Sequence, residues 1–286
     1  MPDKQQLPTT GAVTPVTTTT PTKSPGGQPR GNAAAAERLT ALNSQRPGSA
    51  EAKRPPPDLS ALERLGYTVY PIAQVEVLYS AAKKSPDAGL SGQKQGAGGY
   101  DAVLSGTFTT DYVQSAGPIM RDGQMDTQGH AKATNRGGMA VLADGSVVVG
   151  RAEGRTAEEV RGTFGSESNP VKDFMGGGAL LVEGSKPTSD KDLYERQRFD
   201  QGGGGIRAQQ MRATMHVLVG IRDGQAFAIV AHDKTGAEMQ KELVAHGFDS
   251  VVKYDGGSGA YARDGAGGSP EYRGTNSTGM GIKTRK

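Results

Sequence analysis

Four times between residues 118 and 230 the chain sets an acidic residue and a glycine at the end of an apolar run. Asp122-Gly123 separates Pro118, Ile119 and Met120 from Met125, and Asp144-Gly145 separates residues 139–142 from Val147, Val148 and Val149. Glu183-Gly184 follows Ala179, Leu180, Leu181 and Val182, and Asp223-Gly224 lies between residues 216–221 and 226–230. An Asp-Gly pair supplies the two positive-φ positions of a tight hairpin turn, so apolar runs on either side predict antiparallel strands. Recurrence favours a meandering sheet or barrel over a parallel sheet, and the irregular spacing excludes a solenoid or propeller. The expected fold class is α+β: mostly antiparallel β sheet or meander with a few short helices, behind a disordered N-terminal tail.

The tail is expected to span residues 1–57. It holds no Phe, Tyr or Trp and contains runs such as Thr17-Thr18-Thr19-Thr20-Pro21 and Pro55-Pro56-Pro57, so it cannot bury enough apolar surface to offset its ordering entropy. Residues 58–286 are then one domain, long enough for a sizeable core. Its entrance reads as a short helix, with Leu59, Leu62 and Leu65 three apart behind an Asp58 N-cap and closed by Gly66. Residues 67–79 are rich in Val, Ile and Tyr, as a strand pair would be. One further helix is expected where Thr235-Gly236-Ala237-Glu238 forms a capping box and Met239, Leu243 and Val244 share a face. Residues 151–173 and 186–205 read as polar loops.

A sequence pI near 9.0 raises the question of an anionic partner. The tail carries Lys4, Lys23, Arg30, Arg38, Arg46, Lys53 and Arg54 against Asp3, Glu37 and Glu51, a net +4 in a chain whose total is +3. The domain is therefore near neutral at −1. Without a basic stripe interleaved with aromatics, no nucleic-acid partner is expected. The tail itself reads as a linker or as a docking or loading segment for a protein partner. No cysteine is present, which excludes disulfides and thiolate chemistry. The first 50 residues lack the apolar core of a Sec signal, and no stretch approaches a membrane span, so a soluble chain is expected, cytoplasmic or exported by a leaderless route.

Chemistry concentrates near residue 255. The strand from Val251 delivers Asp255 to its end, and Gly256-Gly257 lets the backbone turn and approach a ligand closely. Asp255 hydrogen-bonding its own turn is the alternative. Arg136, in a loop entering a strand, and Arg212 offer guanidinium forks that match phosphate oxygens, unless they are solvated surface residues. His130, His216, His232 and His246 show no metal-ligand spacing, and Asp255 with Asp264 is at most a weak calcium pair. No cofactor or metal is expected.

Residues 216–258, with strand, Asp-Gly turn, strand, short helix and a final Asp255-Gly256-Gly257-Ser258, resemble the C-terminal half of the phosphodiester glycosidase family. Members of that family read Leu-Asp-Gly-Gly-Gly-Ser-Ser where this chain has Tyr254-Asp255-Gly256-Gly257-Ser258-Gly259-Ala260. Upstream, Ala102-Val103-Leu104-Ser105-Gly106-Thr107-Phe108 resembles the family's Ala-Val-Ile-Asn-Gly-Gly-Phe-Phe, with Ser105 in place of its Asn. Residues 117–123 and 174–184 resemble its later strands, and Arg212 with Thr214 comes nearest to its Arg-Thr pair. The resemblance runs in order over residues 68–285. It implies a hydrolase of sugar-1-phosphodiesters or related glycoconjugates, or a non-catalytic glycan-binding or structural protein of the same fold. The implied catalytic residues are Asp255 and Ser105, and the implied substrate contacts are Arg136, Arg212, Thr214, Gly256, Gly257 and Ser258.

Overall fold

The computed structural model describes residues 54, 57–79, 99–107, 109–110, 114–129, 135–198, 212–256, 262–264 and 278–285. The expected tail, apart from its last residues, lies outside them. Arg54, which the sequence assigns to the tail, is nevertheless bound to the folded part. Its guanidinium donates to Asp223 at 2.7 Å, to Asp249 at 2.7 Å and to the Gly247 carbonyl at 2.8 Å.

The chain enters through α1 (Leu59–Arg64), where the Asp58 carboxylate accepts from the Ala61 amide and Leu62 is buried. Next comes β1 (Tyr67–Tyr79), a single thirteen-residue strand rather than the expected pair. Its first half pairs with β12 (Gln225–Lys234) and its second with β15 (Thr278–Thr284). The change of partner falls at Pro71, which has no amide hydrogen to donate, and at a bulge between Ile72 and Gln74. Pro71 is thus the point where one strand passes from one neighbour to the other.

The remaining strands are β2 (Ala102–Ser105), β3 (Thr109–Thr110), β4 (Gln114–Ser115), β5 (Ile119–Arg121), β6 (Gln124–Thr127), β7 (Gly137–Leu142), β8 (Val147–Arg151), β9 (Val171–Glu183), β10 (Lys186–Pro187), β11 (Thr214–Arg222), β13 (Ser250–Gly256) and β14 (Ala262–Asp264). Every recorded pairing is antiparallel, and the main path runs β14-β2-β15-β1-β12-β11-β13-β9-β5-β6. The stretch from β2 to β13 curls until its ends meet, since the Asp255 amide of β13 donates to the Gly106 carbonyl just past β2 at 3.0 Å. One apolar interior is filled from all six of these strands, among others by Val75, Leu104, Val219, Val230, Tyr254 and Met280. Mostly antiparallel sheet with a few short helices is what the structure shows.

The outer face of the curled sheet is covered by α1, by α3 (Gly236–Ala245) and by a short π-helix (Asp192–Arg196), through Leu62, Met239, Leu243 and Leu193 against Leu218, Ile229 and Val251. α3 begins with the expected capping box: Thr235 and Glu238 each satisfy the other's backbone amide. A helix the sequence reading did not foresee, α2 (Ala157–Phe164), lies within the supposed loop 151–173. Only Val160 and Phe164 bury, so its hydrophobic period is thin; its signal was the capping box of Thr156 and Glu159.

Two of the four acidic-glycine turns have the expected backbone. Asp122 and Gly123 take φ of 47° and 74°, and Asp223 and Gly224 take 50° and 72°. At the second turn only Gly145 is left-handed, at φ 82°, closing a longer loop in which Asp144 accepts from the Ser146 amide. At the third the positive pair is Gly184-Ser185, one residue later, because Glu183 still belongs to β9 and binds Arg151. A side chain on Gly145 would meet nothing within 4 Å, so any cost of replacing it is backbone strain and not collision. Gly145→Val and Gly224→Val should each destabilise the fold by about 1–3 kcal/mol. Thermal melts check this, and unchanged midpoints for both would contradict the left-handed assignment.

Candidate functional site

The end of β2 and the end of β13 carry the two residues that the sequence put forward as catalytic. Ser105 pairs across to Gly279 on β15 and is 1% exposed; Asp255 is 6% exposed. Between them runs the hydrogen bond from the Asp255 amide to the Gly106 carbonyl that closes the curled sheet. Alternation fixes their direction: Ala102 and Leu104 fill the interior, so Ser105 points away from it.

Asp255 is aimed by a bulge. Leu218 stands opposite Lys253, but His216, two residues earlier, stands opposite Gly256, three residues on. The extra residue on β13 distorts the ladder at residues 254–256, the kind of irregularity that re-aims a side chain beside a site. Gly256 therefore does not begin a turn, as the sequence suggested; it is still in β13 and buried. Its lack of a side chain is required by close approach: a Cβ there would lie 2.2 Å from His216 Nδ1. The Asp255 carboxylate accepts from the Gly256 amide at 2.8 Å, which is the local bond that the alternative sequence reading anticipated. Gly257 and Ser258 lie outside the described residues.

Two ionisable side chains join Asp255 here. Lys253 is fully buried, on the face of Leu218, and donates to the Tyr254 carbonyl at 3.2 Å. Burial pushes its pKa down to about 8, against the opposing pull of Asp255. His216 is also fully buried, its Nε2 3.0 Å from the Lys234 carbonyl. Burial first and the Lys253 charge second push its pKa down to about 3, overcoming the Lys234 and Arg212 carbonyls. A carbonyl only accepts, so Nε2 carries the hydrogen and Nδ1 is the bare acceptor.

This neutral histidine sets a pH dependence. Unfolded, it titrates near 6.5; folded, near 3. Between those values the unfolded chain binds the extra proton, so stability is lost as pH falls through that window, by roughly 5 kcal/mol in all. Denaturant unfolding at pH 7 and pH 4 should show His216→Asn losing less than the parent on acidification, even if it starts less stable. Equal losses would place the acid lability elsewhere.

The arginines part company. Arg136 is not a solvated surface residue: it is 4% exposed, with Nε donating to the Gln197 carbonyl at 3.0 Å and Nη2 to the Arg198 carbonyl at 3.2 Å. Burial lowers its pKa to about 10. It enters β7 one strand away from β13, with β9 between them. Its guanidinium fixes the segment that follows the π-helix. Arg212 is exposed, and Thr214 is half-buried at the start of β11 opposite Lys234. The structure thus brings Ser105 and Asp255 to one end of the curled sheet, with Thr214 and Arg212 on the approach to His216, while the Arg136 head is bound to backbone carbonyls. Lys253 was not singled out from the sequence, although a lysine inside Val251-Val252-Lys253-Tyr254 was visible as a charge in an apolar run. Among the described residues no group of His, Asp and Glu is arranged to hold a metal ion, and no helix is long and apolar enough to cross a membrane.

No family model matches the chain, and no curated protein matches it in sequence. Solved structures do. The catalytic domain of zebrafish N-acetylglucosamine-1-phosphodiester alpha-N-acetylglucosaminidase, auto-inhibited by its pro-peptide, superposes with a TM-score of 0.52 at 15% identity, covering 74% of this chain and 73% of that one. The two chains share a fold. A Burkholderia pseudomallei protein follows with a TM-score of 0.47 at 11% identity over 76% of this chain and 71% of its own. A hypothetical protein from Synechocystis gives 0.42 at 11% identity over 77% and 57%. At 15% identity the likeness to the zebrafish domain shows the fold alone.

Proposed function

We propose that the chain is a hydrolase that cleaves a sugar-1-phosphodiester or a related glycoconjugate, with Asp255 as its catalytic carboxylate. The observation that carries this reading is the meeting of β2 and β13 through the bond from the Asp255 amide to the Gly106 carbonyl, which sets Ser105 and Asp255 at one end of the fold. The shared fold with a phosphodiester alpha-N-acetylglucosaminidase supports it.

In the reaction, the bond between the anomeric carbon and the phosphate oxygen breaks, the phosphate leaves with the electron pair, and water supplies the new hydroxyl. Positive charge develops on the sugar. Phosphate is a good leaving group, so the demand on a general acid is small and the demand on a carboxylate facing the sugar is large. Asp255 meets that demand, and Ser105 positions the sugar from the facing strand end. Arg212 and Thr214 stand at the rim as phosphate contacts. Arg136 holds the 197–198 backbone, a positioning role in place of the direct clamp expected from sequence.

One observation favours the second reading, a glycan-binding protein of the same fold: the Arg136 guanidinium is already bound by protein carbonyls. Incubating the protein with a panel of sugar phosphodiesters and measuring released reducing sugar separates the two. Turnover upholds the hydrolase, and binding without turnover upholds the binding protein.

A further inference from the structure

Among the described residues, three buried side-chain polar atoms make no hydrogen bond: Thr107 Oγ1, Thr188 Oγ1 and His216 Nδ1. Folded proteins leave few such atoms, and each calls for an explanation such as water, an ion or a ligand. Two of these three belong to segments that adjoin Asp255 through the backbone, with Thr107 Oγ1 set beside Gly177 of β9. On one side, the Asp255 amide is bonded to Gly106, and the next residue is Thr107. On the other, Gly256 follows Asp255 and stands opposite His216, whose Nδ1 lies where a Cβ of Gly256 would be.

The two atoms are chemically complementary. The Thr107 carbonyl is taken by the Thr278 hydroxyl at 3.0 Å, leaving its own hydroxyl, which can donate or accept. Nδ1 of His216 can only accept, since Nε2 holds the hydrogen against the Lys234 carbonyl. An acceptor of this kind repels phosphate oxygens and attracts a hydroxyl hydrogen. Burial first, and the positive charge of Lys253 on the same face second, keep the ring neutral.

We propose that Thr107 and His216 are sugar-binding residues of this site, taking ligand hydroxyl groups on either side of Asp255, so the ligand presents two hydroxyls astride its anomeric carbon. The proposal rests on the hydrolase reading for the placement of the anomeric carbon. Neither residue was put forward by the sequence: Thr107 was only part of a quoted stretch, and His216 was noted only as lacking metal-ligand spacing.

Calorimetric titration of the full chain with hexose 1-phosphates and N-acetylhexosamine 1-phosphates, beside inorganic phosphate alone, tests this without requiring turnover. The parent should bind at least one sugar phosphate more tightly than inorganic phosphate. Thr107→Val, which keeps the side-chain shape, and His216→Asn should each weaken that sugar phosphate about tenfold and leave inorganic phosphate unchanged. In ¹⁵N-histidine spectra, the bare Nδ1 resonance of His216 should move when the sugar phosphate is added and stay when inorganic phosphate is added. A folded Thr107→Val protein with parental affinity and an unmoved Nδ1 resonance would show that the two atoms hold water only and overturn the proposal. A parent that binds none of the sugar phosphates overturns it too. Sugar-selective binding that both variants weaken, in a protein that releases no reducing sugar, upholds this assignment and removes the hydrolase reading.

Discussion

Asp255→Asn should lower kcat by about 10³-fold on any phosphodiester that the parent hydrolyses, with KM changed by less than about threefold. Asparagine keeps the shape and can still accept from the Gly256 amide, the 2.8 Å bond that orients the side chain. The Gly106 carbonyl is bonded by the backbone and is untouched by the change. What disappears is the negative charge, which is needed where positive charge develops and not where substrate is merely held. Circular dichroism should show a folded protein whose melting temperature is lowered because buried Lys253 loses the facing charge, while turnover falls far more. A folded Asp255→Asn protein with parental kcat would end this mechanism, because no other described carboxylate takes its place at the junction of β2 and β13.

The second large effect is expected from the smallest substitution. Gly256→Ala puts a methyl group 2.2 Å from His216 Nδ1, far inside contact distance, and 3.3 Å from the Met215 carbonyl, a tight contact. His216 is buried and tied to the Lys234 carbonyl, so it has little room to yield. Overpacking of this kind costs about 1–3 kcal/mol. Any relief moves the backbone that carries Asp255, and a displacement of that order at a reacting group costs about 10²-fold in rate. Both losses should appear together, in denaturant unfolding and in kcat. Adding His216→Ala should recover part of the stability, making the pair non-additive, because the methyl then occupies the space of the ring. If Gly256→Ala matches the parent in both measurements, the approach of β11 to β13 is looser than described.

Charge offers a contrast to these steric effects. Lys253 is held fully buried beside Asp255, and a charge so placed is costly unless it is paired. Its position is one that packing alone would assign to an apolar residue, since Leu218 stands opposite and Val251 shares its face. A local rule broken inside an otherwise apolar strand is where a functional constraint is expected to show.

What the sequence by itself determined is local. Apolar runs joined by Asp-Gly predict antiparallel hairpins because left-handed backbone is available to few residues, and Asp122-Gly123 and Asp223-Gly224 adopt it. Thr235 and Glu238 define the start of α3 because a capping box lies within four residues of chain. Asp255 was legible as a strand end for the same reason. Tertiary structure decided everything that depends on residues far apart in the chain. That β1 is one strand with two partners follows from β12 and β15 arriving on different halves of it, which no local pattern encodes. Gly184-Ser185 rather than Glu183-Gly184 makes the third turn because Arg151, 32 residues away, holds Glu183 in the strand. Gly256 looked like a turn glycine, and it is a strand glycine because a histidine 40 positions earlier occupies the place of its side chain. The arginine that read as a phosphate clamp donates to two carbonyls 61 and 62 residues away, since a buried guanidinium must find acceptors wherever the fold supplies them.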